Sequence, residues 1–545
     1  MRNLPLFIVF IMITMPGFSQ TKNPADEFTV KWGTPYEIPK KYEDIGYLGN
    51  LDDGIIQISA KLTTDVLIQR FDLQKLTPTN RLNIDLSKKP DRFVPDLFAD
   101  FNNEFYMIYS TWDKEAEREH LFADKIDLKK GTFAENPKEL IKSKKIAGEL
   151  IATGFYKFST AGKYKFNFSI DSSFMLVTYR LYTDVKNDAI SRDVIGFYMF
   201  DKDLNKVWSN EFRMPYSEEM MDNIDYTVSS NGNAYLLCKV YEGKRTEKKK
   251  DNPNYHFEVL KFGPGGSELK PIRIKPADKY INDMLLTEGF SGEIICAGYY
   301  KSDYRTTGKT TDRYNHTDGC VIAKIDLNDS VLIVSKGFYE FPAEILKAFE
   351  KPSDQNNVDK KNEKDKAEAP GLYLRNVLIS DDGSITFVGE QYRYVVSTST
   401  SASGSVNTTE RFYYADIYVM QIGADGDMAW VKKIPKNQVG GKGRRGMSFK
   451  YFWNGSNHYF FYLDNIKNLN LQPSTVPSIH MDGAGGFLTV CKIDKDGNLT
   501  KGSLMNLKDV ELRFWPADLS KVSDKILLGR GVDGNMSKML KIELK

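Results

Sequence analysis

Hydrophobic and polar residues alternate in short runs along almost the whole chain, and the runs stop at Gly, Asn and Asp. In "IDYTVSSNGNAYLLCKVYEG", from Ile224, two alternating segments flank "SSNGN"; in "YHFEVLKFGPGGSELKPIRI", from Tyr255, two more flank "GPGG". A period of two is the signature of half-buried strands. Gly and Asn tolerate the positive φ of tight hairpin turns, and Asp bonds its own backbone there. Helical periodicity is confined to short pieces such as "PAEILKAFE", from Pro342. The pattern predicts an all-β fold.

Four successive strands, A to D, recur as a unit. The unit that begins near Ile224 is matched over 164–216, 283–340, 375–435 and 449–507, with two looser copies over 47–86 and 95–141. The A-to-B turns read "DSS", "SSNGN", "SDDGS" and "NGSN"; the C-to-D turns read "DKDLN", "GPGG", "GADGD" and "DKDGN". Four-stranded units repeating roughly every 40 to 60 residues predict a β-propeller, in which each blade buries its faces against its neighbours. The last unit, from Val510, supplies three strands only. The N-terminal "EFTVKWGTPYEIPK" places Trp32 and Pro39 as strands D place Trp208 with Pro215 and Trp430 with Pro435. The N-terminal strand is therefore expected to complete the last blade and close a ring of eight blades. Seven is the alternative if the two looser units are misread, and two β-sandwich domains are the competing architecture. The propeller domain is expected over 28–545. Within it, 351–371, dense in Lys, Asp, Glu and Asn, is expected to be a disordered insertion between blades.

Antiparallel strands put the A-to-B and C-to-D turns at one end of each blade and the B-to-C loops and blade connections at the other. The first class is short. The second holds the long segments: "EGKRTEKKKDNPNYH", "KSDYRTTGKTTDRYNHTDG", "RYVVSTSTSASGSVNTTERFYY", "NQVGGKGRRGMS", "DNIKNLNLQPSTVPSIHMDGAG" and 351–371. Long loops gathered on one rim point to a binding face.

The chain opens with Arg2, an apolar run from Leu4 to Met15 and small residues at Gly17 and Ser19. This reads as a secretory signal peptide over 1–19, too short for a membrane span, and places the mature protein in the periplasm or outside the cell. With 75 basic and 73 acidic residues the net charge is +2, so no global field draws nucleic acid or a membrane surface. A monomer without a cofactor or a metal is expected. Cys238, Cys296, Cys320 and Cys491 stand in apolar strands without C-x-x-C spacing. They read as small buried hydrophobes, with one disulfide left open by the oxidising compartment.

Candidate chemistry is sparse. "GGKGRRG" offers Lys442, Arg444 and Arg445 to an anion but lacks the phosphate-loop pattern, and the same residues suit a solvated connection. Tyr304, Tyr314, Tyr392 and Tyr394 on the long-loop face could stack on a sugar or a partner surface. His120, His256, His316 and His480 fall near B-to-C loops without ligand spacing. "SDDGSITF", from Ser380, is an imperfect Asp box with Ser384 where the turn glycine belongs. Neither a nucleophile elbow nor H-E-x-x-H occurs, so no catalytic residue is assigned.

In its four-strand units with D-x-D-G and N-G turns, over nearly all of the mature chain, the sequence resembles secreted bacterial β-propeller repeat proteins of uncharacterised function. The resemblance implies an architecture and no functional residue. The leading expectation is a non-catalytic exported propeller that binds a protein or envelope polymer through the long-loop face. The alternative is a carbohydrate-active or other hydrolase with carboxylates in the central channel.

Overall fold

One hairpin turn is written over and over in this chain. In each copy the first residue's N–H donates to the carbonyl four residues on, and the fourth residue's N–H donates back to the first: Ser229 with Asn233 and Gly232, Ser380 with Ser384 and Gly383, Gly423 with Asp427 and Gly426, Asp494 with Asn498 and Gly497. The fourth residue must take a left-handed φ, +79° at Gly232, +85° at Gly383 and +82° at Gly426, which glycine adopts without a steric penalty. Asp201 and Asp494 in the first position accept the N–H groups two and four residues later. The D-x-D-G motifs and the Asp box are thus hairpin geometry; the Asp382 carboxylate, bonded by Ser384, is held below its usual range.

The computed structural model describes residues 23–545 apart from 40–41, 62–64, 86–93, 135, 155–156, 183–189, 246, 248–252, 266–269, 276–278, 303–315, 364–366, 401–405, 442–443, 445 and 483–484. The expected signal peptide, 1–19, lies outside the described residues. Strands dominate, and the chain folds as a β-propeller whose sheets are built on four antiparallel strands. In chain order these are sheet I (43–85), II (94–143), III (164–213), IV (221–274), V (280–340), VI (372–434) and VII (450–506). Sheet VIII combines 513–544 with Phe28–Trp32, whose register sets Phe28 opposite Leu544 and Trp32 opposite Leu540. Sheet II carries one further strand, and sheets VI and VIII carry two each.

The middle strands bury apolar residues on both faces because sheets pack face to face. Ile56, Ile58 and Ile68 of sheet I meet Phe105, Met107 and Tyr109 of sheet II. Phe197 and Phe212 of sheet III meet Phe262 of sheet IV, the first and last stacked at 4.0 Å. The same sharing joins II to III, IV to V, V to VI, VI to VII and VII to VIII. A further core brings Ile526, Leu528 and Met539 of sheet VIII against Tyr47, Ile55 and Phe71 of sheet I. The four cysteines are buried and free.

The innermost strands are fastened to one another by polar side chains. Asn167 donates to the Tyr226 carbonyl at 2.8 Å, Asp225 accepts Leu286 N–H at 2.8 Å, and Asp283 accepts Leu374 N–H at 3.3 Å. Ser520 accepts Tyr47 N–H at 3.2 Å. Burial raises both aspartates, and their backbone donors oppose it.

Two expectations are corrected. The charged stretch 351–371 contains a helix, Pro352–Asn362. Pro352 opens it where a missing N–H costs nothing, Lys360 and Lys361 suit its C-terminus, and Lys347 pairs with Asp359 at 2.7 Å. Val358 packs against the core shared by sheets V and VI, so one apolar contact and local ion pairs suffice where composition alone suggests disorder. The Ser/Thr-rich loop after Arg393 is also regular. Strands Ile385–Thr400 and Val406–Ile422 run on past the sheet as one hairpin, paired as far as Thr400 with Val406. Its Val, Thr, Tyr and Phe are strong strand formers, and the serines hide the alternation.

Candidate functional site

The long-loop rim of sheets VI to VIII carries an arm, a strap and a polar centre. The arm is the hairpin just described. Tyr394 stacks on Phe412 at 4.8 Å and donates to Glu410 at 2.8 Å, while Arg393 lies 4.2 Å over the Tyr413 ring. A two-stranded ribbon alone is marginal in water; this one is anchored where Phe412–Tyr414 pair with Gln438–Gly440.

The strap is 465–482. Gln438–Gly440 pairs in parallel with His480–Met481, and Asn468 exchanges hydrogen bonds with Ser478 at 2.7 and 2.8 Å. Asn437 and Asn465 donate to the Pro477 and Ile479 carbonyls at 3.0 Å. The asparagines do for this segment what a sheet ladder does elsewhere, satisfying its backbone away from regular structure.

Beneath arm and strap lies a buried ion network. Glu390, in the middle of strand B of sheet VI, is fully buried. Its carboxylate accepts from Lys436 Nζ at 3.0 Å, Arg375 Nε at 3.1 Å and Ser448 Oγ at 2.9 Å, with Arg375 Nη2 in ion-pair contact at 3.0 Å. Lys436, equally buried, also donates to Gln438 at 3.2 Å; Gln438 in turn accepts Ser448 N–H and donates to the Leu463 carbonyl. Burial pushes the Lys436 ammonium down, and the Glu390 charge opposes it. Ser448 holds φ at +66°, a strained value for a residue with a side chain, pinned by its two bonds to this network.

The network supports one wall of a cavity of about 400 Å³ lined by Arg375, Asn376, Tyr414, Arg444, Lys450 and Tyr451 among others. Arg375 is the bulged residue of its strand, set between Leu374 and Asn376, and the bulge re-aims its side chain. Lys450 opens strand A of sheet VII, and Ala517 reaches the cavity from sheet VIII. Burial, then the Arg444 charge, lowers the Lys450 ammonium, with Asp518 opposing.

Of the expected binding residues, the structure brings two to this centre. Arg444 lines the cavity, and Tyr392 sits 5.0 Å from the Tyr414 ring with the Arg375 guanidinium 5.9 Å over it. Tyr394 is exposed on the arm. Tyr304, Tyr314, Lys442 and Arg445 lie outside the described residues. The histidines do not converge: His120 meets Glu139, His256 meets Glu258 at 2.8 Å, His316 stands 3.3 Å from Glu368, and His480 is buried in the strap. Among the described residues no group of His, Cys, Asp and Glu could hold a metal ion. Sequence reading missed Glu390, Lys436, Arg375 and Lys450; the available signal was a charge set inside apolar runs, as in "FVGEQY" and "YLRNVL".

A second buried polar cluster lies between sheets II and III, where Lys163 and Glu119, both buried, pair at 2.8 Å. Asp96 is the bulged residue of its strand. The residue is only partly exposed, and its Oδ2 is shielded and unbonded. Burial raises this carboxyl to about 7, against the pull of Ser110 and Lys163. The unfolded chain ionises Asp96 near its ordinary value, so stability from the neutral form is full below about pH 4 and is lost as pH rises through about 7. Asp96→Asn should therefore gain stability over the wild type by roughly 2–3 kcal/mol on going from pH 5 to pH 8, read from urea midpoints. A difference independent of pH would exclude the raised carboxyl.

No protein-family profile matches the sequence, and no curated protein matches it. Solved structures similar in shape include the WD40 domain of SCAP from fission yeast (9% identity, 95% of this chain and 98% of that one, TM-score 0.36). The β-propeller domain of the Trilobed protease from Pyrococcus furiosus, described as having an open velcro topology, is another (11%, 86% and 100%, 0.33). An acylaminoacyl peptidase in complex with a chloromethyl ketone matches with 11% identity over 91% of this chain and a TM-score of 0.34. This chain spans only 58% of that peptidase's length.

Proposed function

We propose that the protein is an exported eight-bladed β-propeller, its ring closed by the N-terminal strand, that binds a protein or envelope polymer through its long-loop face. Eight shared cores support the ring, one of them joining sheet VIII back to sheet I, as does the pairing of Phe28–Trp32 with the C-terminal strand. Export to the periplasm or beyond rests on the signal-peptide pattern at the start of the chain.

The observation that carries the binding face is the placement of exposed apolar side chains. Of eighteen large ones among the described residues, seven stand on the arm and strap: Tyr394, Val396, Val406, Ile466, Val476, Ile479 and Met481. Single exposed apolar residues are ordinary, but their concentration on two projecting segments marks an interaction site. The hydrolase reading loses ground because Asp225 and Asp283, carboxylates of the inner strands, are engaged as staples by the neighbouring sheet's backbone.

The arm can be shortened without touching its anchor. Joining Tyr394 to Phe412, which face each other across the ladder, through an Asn-Gly turn removes the projecting ribbon and keeps the pairing with Gln438–Gly440. The shortened protein should unfold at the same urea concentration as the parent and lose at least tenfold in affinity for whatever the parent captures from envelope extracts. Undiminished capture would move the site off this face.

A further inference from the structure

Most buried cations in this molecule are matched by carboxylates. Lys433 has both Glu350 at 2.7 Å and Asp416 at 3.2 Å; Lys501 has Asp464 at 2.7 Å; Lys163 has Glu119. The cavity between the inner strands of sheets VI, VII and VIII breaks this rule. Glu390 is a single carboxylate in ion-pair contact with both Arg375 and Lys436; Asp416 and Asp464, whose charges Lys436 also feels, are paired with Lys433 and Lys501. Among the described residues, Lys450 and Arg444 have no carboxylate within 4.0 Å. Arg444 spends one long bond, 3.4 Å, on the Phe449 carbonyl. Asp518 is close enough to be felt by Arg444 and Lys450 but does not pair with either.

We propose that this cavity binds an oxyanion group, a carboxylate or a phosphate, on Arg375, Arg444 and Lys450. The two guanidiniums offer planar forks suited to such groups, and the ammonium supplies a point charge. The wall is rigid because Glu390 fixes Arg375 by a hydrogen bond from Nε and an ion-pair contact with Nη2, and Ser448, strained and doubly bonded, fixes the turn that leads into Lys450. A preorganised site loses little ordering free energy when the anion arrives. A half-buried lysine beside an arginine is also a poor choice for stability alone; an incoming anion removes the repulsion between them. The site goes beyond the partner reading, since a free small anion would occupy it with arm and strap idle.

The test is calorimetric titration of the whole mature protein with inorganic phosphate and, separately, with citrate, each against sodium chloride at equal ionic strength. Saturable binding of either probe is expected. Citrate alone would assign a carboxylate, phosphate alone a phosphate. Lys450→Met should weaken binding at least tenfold with unfolding midpoint unchanged or raised, Lys450→Arg should restore it, and Asp518→Asn, which removes the competing internal carboxyl, should tighten it severalfold. Saturation by neither probe, equal saturation by chloride, or a Lys450→Met protein that binds as the parent does would each overturn the proposal.

Discussion

Replacing Glu390 by glutamine destabilises the fold by about 3–5 kcal/mol, the expected cost of breaking a buried ion pair from one side. The substitution keeps the shape of the side chain and removes only its charge. Lys436 is then left fully buried with only neutral amide oxygens, that of Gln438 and that of the substituted side chain, to accept from its ammonium, and Arg375 and Ser448 lose their charged acceptor. The double variant Glu390→Met with Lys436→Met should recover most of the loss, because two apolar chains need no solvation and fill a similar volume. Urea unfolding of the parent, Glu390→Met, Lys436→Met and the double variant measures the coupling directly. A Glu390→Gln midpoint within about 1 kcal/mol of the parent would mean that water reaches the pair and that the wall of the cavity is not rigid.

The second large effect lies at the N-terminus. A chain beginning at Gly33 loses Phe28, which packs edge-on against Tyr459 at 5.1 Å and Phe461 at 5.4 Å, and with it Val30 and Trp32 from the same core. Lys492 and Tyr459 also lose their contacts with Glu27, at 2.7 and 2.9 Å. Loss of one buried phenylalanine costs about 3–5 kcal/mol, and the truncation further bares the ladder edge of residues 540–544, which Phe28–Trp32 otherwise cover, an open template for aggregation. The truncated protein should be unfolded or aggregated at 37 °C, and a peptide spanning 23–38 added during refolding should restore a soluble monomer. A truncated chain as stable as the parent would show that the terminal strand is an ornament on sheet VIII.

The fold was legible because a propeller repeats one local instruction. Gly232, Gly383, Gly426 and Gly497 each announce the same turn, and the alternating runs between them are long enough to set strands and faces. Trp32 placed the N-terminal strand beside the C-terminal one for the same reason: it occupies the position that Trp208 and Trp430 hold in other units. What could not be read were features that repeat nowhere. The arm is written in serine and threonine, whose strand character shows only when cross-strand partners such as Tyr394 and Phe412 are already known. The helix Pro352–Asn362 is held by tertiary contacts that composition does not record. The candidate site is dispersed over Arg375, Glu390, Lys436 and Lys450, residues from separate strands and connections that only the packing of sheets VI and VII brings together; each alone is an unremarked charge. Arg444 and Tyr392 were found because they sit in segments whose composition already stood out.

Hydrogen–deuterium exchange of the mature protein, alone and with the partner recovered by capture, most directly tests whether the long-loop face is the binding surface. Protection on binding is expected in the arm, 393–413, the strap, 465–482, and the connection 438–450, with the A-to-B and C-to-D turns exchanging as before. Protection confined to those turns, or to the outer strands, would contradict a binding face built from arm and strap.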